Sequence, residues 1–324
     1  MKYVVTGGAG FIGSHIAEAL AGSHEVVIVD NFSSGKPEHL RGFEDKVRLR
    51  RGSISDLPFL KEAFQGADGI FHQAAIASVT QSIADPFTVH ETNSTGTLNV
   101  LLAARDCNVP KVVFASTSAV YGDEPTFPKR EEMLPHPLSP YAVSKLTGEY
   151  YGKVFSELFG VKTVSLRYFN VYGTRQDPNS DYAAVVPKFI TRLLDNRAPI
   201  IYGDGKQTRD FIYVEDVVQA NILAMERSGA GIFNIGSGQR IDLNELADTL
   251  ATVMHLRLDP LYEKARSGDI RDSVAEISHA RRAFGFVPRF TLAAGLEDTV
   301  EGFRHRQKQQ TGTIFQNIKK DVIV

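Results

Sequence analysis

The chain has 324 residues, with 36 Lys and Arg against 38 Asp and Glu, so its formal net charge is −2. This balance argues against general nucleic-acid binding, and the single Cys107 excludes an internal disulfide framework and a Cys-rich zinc module. No apolar run reaches the ~18 to 20 residues that cross a bilayer, and the first residues lead into a strand pattern rather than a signal peptide. We therefore expect a cytoplasmic protein of one large or two domains that acts on small molecules, with no metal, membrane or nucleic-acid partner.

The first half of the chain alternates between short β-branched runs and helical patterns. The predicted strands are 3–5, 25–29, 46–49, 69–72, 111–115 and 162–166, and the predicted helices lie near 12–21, 57–64, 87–107 and 141–159. Strict alternation of strands and helices predicts a parallel sheet with helices on both faces, and the nearly continuous apolar character of several strands agrees with that. The predicted fold class is therefore α/β, with a Rossmann-type doubly wound parallel sheet.

The regular alternation ends after Arg167. Loop-forming residues fill 173–182, short mixed elements continue to about 306, and Thr208 to Val217 resembles a return strand and turn. We expect a first domain over 1–171, with 208–230 returning to it, and a smaller, discontinuous mixed α/β domain over 172–207 and 231–306. Residues 307–324 are polar except at their end, and we expect them to form a loose tail.

A glycine-rich turn follows the first strand and opens the first helix. Gly7 permits the tight turn, Gly10 lets backbone N–H groups approach a pyrophosphate, and Gly13 lets the helix pack against the sheet. The helix N-terminus, with Phe11 and Ile12, then faces the anion. This context predicts a dinucleotide site.

Asp30 strengthens the dinucleotide prediction. It ends the second predicted strand and is followed by Asn31. A carboxylate at this place accepts hydrogen bonds from the adenosine ribose hydroxyls and repels a 2′-phosphate, which favours NAD over NADP.

Tyr141 and Lys145 lie four residues apart at a predicted helix start, with Ser139 as N-cap and Pro140 at the first helical position. They therefore share one helix face, where the ammonium lowers the pKa of the phenol and makes it a base. The bare spacing is common by chance. The spacing becomes informative together with Thr117, which follows a predicted strand at the sheet edge where ligands bind in open α/β folds.

These motifs resemble the extended short-chain dehydrogenase/reductase family, and within it the nucleotide-sugar 4-epimerases of the UDP-glucose/UDP-N-acetylglucosamine type. The resemblance covers the chain to about residue 306. It rests on the glycine turn, Asp30, Phe71–Ala75, Asn93, Thr117, Tyr141 with Lys145, Arg167–Asn170, Gly203–Asp210 and Ser267–Asp269.

The resemblance implies NAD as cofactor and adds cofactor contacts at Ser53, Ile54, Ala74, Asn93, Lys145 and Tyr168. Ser53 stands where the family often has an Asp that meets the adenine amino group, so it offers a hydrogen bond without charge. The family also implies a homodimer that pairs the helices near 87–107 and 141–159 as a four-helix bundle.

Many members of the family oxidise C4 of a nucleotide sugar and then diverge. Dehydratases and decarboxylases carry Asp or Glu just after the catalytic Thr, whereas Thr117 is followed by Ser118-Ala119-Val120-Tyr121-Gly122. UDP-glucuronate 4-epimerases usually have Thr where this chain has Asn170. Both departures favour 4-epimerisation of a UDP-hexose, with Thr117, Tyr141 and Lys145 as catalytic residues.

The resemblance also implies a UDP-sugar substrate. Its predicted contacts are Ser118, Asn170 and Asp269, with Tyr202 against uracil, Arg209 and Arg266 on the diphosphate, and Ser273 at the sugar end. Relatives strict for glucose and galactose hold a bulky Tyr at the place of Ser273. The small residue predicts room for an N-acetyl group, so UDP-GlcNAc and UDP-GalNAc join UDP-Glc and UDP-Gal as candidates.

Two alternatives remain. The first is another NAD-dependent nucleotide-sugar modifier, of the UDP-glucuronate epimerase/decarboxylase or dTDP-glucose dehydratase type. The second is a non-catalytic dinucleotide sensor, although sensors on this fold typically lose the Tyr or the Lys and this chain keeps both.

Overall fold

The computed structural model describes residues 1–178, 184–227, 229–256, 259–265 and 271–321, with 309–321 described by their backbone alone. The chain forms two compact units. The first unit is made of Met1–Val171, Thr208–Ile241 and Ile270–Arg289, and the second of Tyr172–Gln207, Asp242–Asp269 and Phe290–Val324.

A seven-stranded parallel sheet forms the centre of the first unit, which confirms the predicted α/β class. Its strands are β1 (Lys2–Thr6), β2 (Glu25–Asp30), β3 (Val47–Arg51), β4 (Gly69–His72), β5 (Lys111–Thr117), β6 (Lys162–Tyr168) and β11 (Gly231–Ile235). Their order across the sheet is β11-β6-β5-β4-β1-β2-β3. All strands run in one direction, so their carboxyl ends lie along one edge.

Helices cover both faces of this sheet, because neighbouring strand residues point to opposite sides. On β1, Tyr3 and Val5 belong to one apolar cluster, whereas Val4 belongs to the other. The helices of the first unit are α1 (Phe11–Ala21), α2 (Leu57–Phe64), α3 (Val79–Ala84), α4 (Pro86–His90), α5 (Gly96–Asp106), α6 (Pro140–Phe159), α8 (Val214–Arg227) and α10 (Ser278–Phe284).

The predicted helix near 87–107 contains an irregular turn. A π-helical turn, Glu91–Thr95, joins α4 to α5. Single π turns inside helices are frequent at functional sites, and this one carries Asn93. Helix α6 begins as its sequence predicts, since the Ser139 side chain accepts a hydrogen bond from the N–H of Ala142 and Pro140 takes the first position.

The second unit is smaller. It contains α7 (Val185–Leu194), α9 (Leu243–Met254) and α11 (Leu292–Asp321), which pack on one another, and a parallel pair of strands, β8 (Ile200–Tyr202) with β13 (Leu261–Glu263). Of the remaining short strands, β9 (Thr208–Arg209) and β10 (Phe211–Tyr213) belong to the first unit, whereas β7 (Asn170–Tyr172) and β12 (Ile241–Asp242) span a boundary between the units along the chain.

Three boundaries differ from those predicted. Residues 231–241 and 270–289 lie in the first unit, because β11 pairs with β6 and so adds a strand to the large sheet. Helix α8 begins at Val214, where the sequence predicted that the return strand and turn would continue. Residues 307–321 continue α11 rather than forming a loose tail.

Candidate active site

The turn after β1 is closed so tightly that side chains do not fit at two of its glycines. Gly7 has a φ of +68°, and a Cβ atom there would lie 2.7 Å from the backbone nitrogen of Ala74. A Cβ atom at Gly13 would lie 2.1 Å from the carbonyl oxygen of Gly7. The N–H of Gly10 donates to that same carbonyl at 3.0 Å, and α1 begins at Phe11. The resulting cradle, with a helix N-terminus behind it, fits the pyrophosphate of a dinucleotide.

Asp30 lies beside this cradle at the end of β2 and is buried. Its Oδ2 accepts a hydrogen bond from the N–H of Ala9 at 2.9 Å, and its Oδ1 accepts one from the N–H of Phe32 at 2.8 Å. A carboxylate offers about four lone-pair positions, so it keeps acceptor capacity for ribose hydroxyls. The side chain of the next residue, Asn31, accepts a hydrogen bond from the N–H of Ser33 within the turn.

The other predicted cofactor contacts lie at neighbouring strand ends. Ser53 follows β3, and its Oγ accepts from the N–H of Ser55 at 3.1 Å. Ile54 is buried, and its side chain leaves no room for a Cβ atom at Gly96. Ala74 follows β4, where its N–H donates to Oγ1 of Thr6 at 3.4 Å.

Asn93 contacts protein groups with both ends of its amide. Its Oδ1 accepts from the N–H of Ile76 at 2.8 Å, and its Nδ2 donates to the carbonyl of Ile76 at 3.0 Å and to Oγ of Ser144 at 3.0 Å. Ser144 directly precedes Lys145. Asn93 therefore joins the segment after β4 to α6, the helix of Tyr141 and Lys145, and its contact with the cofactor stays a prediction.

Tyr168 likewise has its hydroxyl occupied. It donates to Oδ1 of Asn221 at 2.9 Å and contacts Nε2 of Gln73 at 3.2 Å, and burial raises the pKa of this phenol. The cofactor contact of Tyr168 stays a prediction. Asn221 was missed by the sequence analysis, although an Asn in the apolar run of α8 is a signal that could have found it.

The catalytic candidates meet at the carboxyl end of β5. Thr117 is the last residue of β5, and its side chain lies near that of Tyr141, whose pKa it acts to lower. Tyr141 and Lys145 share one face of α6. The ammonium of Lys145 is buried, donates to the carbonyl of Ala115 at 2.9 Å and lies 5.0 Å from the centre of the Phe114 ring.

Burial sets the pKa values of this pair. It raises the pKa of Tyr141, and the hydrogen bond from Thr117 offsets this only in part. It lowers the pKa of Lys145 to about 7. The expected lowering of the Tyr141 pKa by Lys145 is therefore wrong for the protein without a bound cofactor, because removing water disfavours the charged form of both groups.

Two predicted substrate residues are held together in the first unit. The N–H of Ser273 donates to the carbonyl of Thr208 at 3.2 Å, and Thr208 precedes Arg209. Asp210 fixes this region, since its buried carboxylate accepts from the N–H groups of Gly238 and Ala275, each at 3.0 Å.

The other predicted substrate residues in the described part of the chain lie on separate elements. Ser118 opens a 3₁₀ turn after Thr117, and the N–H of Asn170 donates to the carbonyl of Asp210 at 2.9 Å. Tyr202 lies in β8 of the second unit, and its carbonyl accepts from Nε2 of Gln207 at 2.7 Å. Arg266 and Asp269 lie outside the described residues.

Across the described residues, no three His, Cys, Asp or Glu side chains are grouped so that they could hold a metal ion. Within the same part of the chain, no helix is both long and apolar enough to cross a membrane.

A dinucleotide cradle with a Thr, Tyr and Lys group at the same sheet edge defines an NAD-using enzyme of the Rossmann class. The sequence profile of the NAD dependent epimerase/dehydratase family matches residues 3–236. The chain belongs to this family, and its cofactor is NAD.

Three solved structures show how far the likeness extends. UDP-N-acetylglucosamine 4-epimerase from Methanobrevibacter ruminantium, in complex with UDP-N-acetylmuramic acid, is 42% identical with a TM-score of 0.91, over 94% of this chain and 98% of that one. UDP-glucose 4-epimerase from Thermotoga maritima, with UDP-glucose, is 39% identical with a TM-score of 0.91, over 95% and 100%. The Thermus thermophilus UDP-glucose 4-epimerase complex with NAD is 39% identical with a TM-score of 0.85, over 94% and 99%.

The cradle predicts that Gly13→Ala weakens NAD binding by on the order of tenfold or more, because the new Cβ atom pushes the start of α1 away from Gly7. Isothermal titration of the cofactor-free protein measures this. Gly22→Ala is the matched control on the same helix, since a Cβ atom there meets nothing within 4 Å. Wild-type affinity in Gly13→Ala would contradict the assignment.

Proposed function

We propose that the protein catalyses NAD-dependent 4-epimerisation of UDP-hexoses through a 4-keto intermediate, with UDP-GlcNAc/UDP-GalNAc, UDP-Glc/UDP-Gal or both as substrates. The observation that carries the proposal is that the side chains of Thr117, Tyr141 and Lys145 come together at the end of β5, where Lys145 donates to the carbonyl of Ala115. The 3₁₀ turn that follows, Ser118–Tyr121, has no carboxylate for a later loss of water or CO2.

Tyr141 acts as the base that removes the proton of the sugar 4′-hydroxyl, and Thr117 shares a hydrogen bond with the reacting oxygens. Since burial raises the pKa of Tyr141, the phenolate needs a positive charge nearby. Lys145, whose amine is held against β5, supplies that charge in its protonated form and binds the nicotinamide ribose. NAD, when bound, supplies the reversible oxidation at C4. Tyr141 then returns the proton to the epimerised hydroxyl, so the net reaction is an isomerisation.

Substrate binding uses cations for the diphosphate and small side chains for the sugar. Arg209 and Arg266 bind the diphosphate, because a guanidinium fork matches phosphate oxygens, and Tyr202 stacks on uracil. Ser118, Asn170 and Asp269 contact the sugar nucleotide. Ser273 leaves space beside the sugar.

The reaction is tested by incubating the protein separately with UDP-GlcNAc, UDP-Glc and UDP-GlcA and resolving the products by NMR. We expect conversion at C4 without change of mass, and Tyr141→Phe should lower kcat by at least on the order of 10²-fold while NAD stays bound. Loss of water or CO2 would overturn the proposal in favour of another nucleotide-sugar modifier. Bound NAD with no turnover of any nucleotide sugar would favour a sensor.

The sugar-end assignment predicts that Ser273→Tyr selectively removes activity on the N-acetylated sugars. Ser273 is almost fully buried, with 9% of its surface exposed, so the added ring occupies the space that we assign to the N-acetyl group. Ser273→Ala, which keeps the small volume, is the matched control. Undiminished kcat/KM of Ser273→Tyr on UDP-GlcNAc refutes the assignment.

We also propose that the protein forms a homodimer through α6 and the neighbouring α3 and α4. In the single chain, α6 exposes Val143, Tyr150, Val154 and Leu158, whose spacing of seven, four and four residues places them on one helix face. Ile83 on α3 and Phe87 on α4 are exposed beside α6. A contiguous apolar surface of this kind is typical of a protein interface.

Leu158→Asp should shift the protein from dimer to monomer in light scattering, because a buried, unpaired carboxylate disfavours association. Leu134→Asp is the control, since Leu134 is an exposed apolar residue in a loop and is not one of the residues of this face. A monomeric wild type, or a Leu158→Asp protein that dimerises as the wild type does, would count against this interface.

A further inference from the structure

A buried ion pair joins the helix of the catalytic pair to the sheet. Nε and Nη2 of Arg167 on β6 donate to Oε1 and Oε2 of Glu149 on α6, at 2.9 and 2.7 Å. The side chains are 2% and 0% exposed. The pair is therefore shielded from water and from salt, and both of its hydrogen bonds are fixed in direction.

The same carboxylate also reaches β5. Oγ of Ser116 donates to Oε1 of Glu149, and Ser116 pairs with Arg167 in the sheet register. Ser116 immediately precedes Thr117. The ion pair thus contacts the residue on the amino-terminal side of the catalytic hydroxyl.

A second contact is made on the other side of Thr117. The Arg167 guanidinium lies 4.7 Å from the centre of the Tyr121 ring, and Tyr121 ends the 3₁₀ turn that follows Thr117. The hydroxyl of Tyr121 in turn donates to Oδ1 of Asn234 at 2.7 Å. The ion pair and its partners therefore hold the chain both before and after Thr117.

Along α6, Glu149 continues the spacing of the catalytic pair. Tyr141, Lys145 and Glu149 follow one another at intervals of four residues, which places them on one face of the helix. A helix anchored through Glu149 therefore has a fixed rotation and height relative to β5.

Stability alone is a weak reason for such a pair. The cost of removing two charges from water often exceeds their attraction, and apolar residues of similar volume are frequently as stable or more so. The pair is also neutral overall, so it fixes geometry without adding a net charge near Tyr141.

We infer that Glu149 and Arg167 are positioning residues that set the distance between Thr117 and the Tyr141–Lys145 pair; the inference rests on the proposed function. Small displacements of reacting groups lower the rate steeply, by on the order of 10²-fold for about 1 Å. They leave substrate affinity largely intact when the binding groups lie elsewhere.

The test compares the double variant Glu149→Leu/Arg167→Met with the wild type and with two further variants. Arg50→Met/Glu62→Leu is the matched control, since Arg50 on β3 and Glu62 on α2 also join strand to helix, at 3.1 Å, but on the surface. Ser116→Ala removes only one hydrogen bond and keeps both charges, so it reports on the network should the double variant not fold. The measurements are thermal unfolding, kcat and KM on the preferred UDP-sugar, and amide hydrogen exchange over 113–118 and 141–149.

In the double variant we expect unfolding near the wild-type temperature, kcat about 10- to 100-fold lower and KM within about twofold. Exchange should be faster over 113–118 and 141–149. Ser116→Ala should show the same pattern with a smaller loss, about threefold or more in kcat, and the control should match the wild type.

If the double variant folds and has wild-type kcat and wild-type exchange, the positioning role is overturned. If the double variant does not fold, wild-type kcat and exchange of Ser116→Ala overturn it. Absence of turnover in the wild type rejects the proposed function instead. In that case the amide exchange measurements alone test the positioning role of Glu149 and Arg167. Unchanged exchange rejects that role, and faster exchange supports it.

Discussion

The parallel direction of all seven strands is the constraint on which the rest of the first unit depends. It brings the carboxyl ends of the strands to one edge, where the glycine turn follows β1 and where Asp30, Thr117 and Tyr168 end β2, β5 and β6. Residues far apart in the chain thus become neighbours without any long loop to hold them. We assign the adenosine end of NAD to the end of β2 and the chemistry to the end of β5.

Burial has opposite consequences for the charged groups at this edge. In the Glu149–Arg167 pair, burial acts to lower the pKa of Arg167, but the hydrogen-bonded carboxylate outweighs it and the pKa is raised. Lys145 has a carbonyl and a ring as neighbours, and its pKa falls to about 7. The Glu149–Arg167 pair therefore fixes the geometry of the site, whereas Lys145 is the group near Tyr141 whose charge changes near neutral pH.

Local sequence signals predicted much of this arrangement. Strands and helices up to β6 lie close to their predicted positions because β-branched runs and helix caps are local features. Strand β11 was missed, since it joins the sheet only through a distant partner, and with it the true extent of the first unit. The contacts of Asn93 and Glu149 could not be predicted either, because their partners lie on other elements. The direction of the Tyr141 pKa was wrong, since spacing along a helix carries no information on burial.

Return of the C4 hydrogen within the active site is the central claim, and an isotope label at that position tests it most directly. The measurement is NMR of the product formed from UDP-GlcNAc, or from UDP-Glc if that is the preferred sugar, deuterated at C4 and turned over in ordinary water. We predict that the epimer keeps the deuterium at C4, because the hydride leaves and returns without meeting solvent. Loss of the label to water would contradict the account.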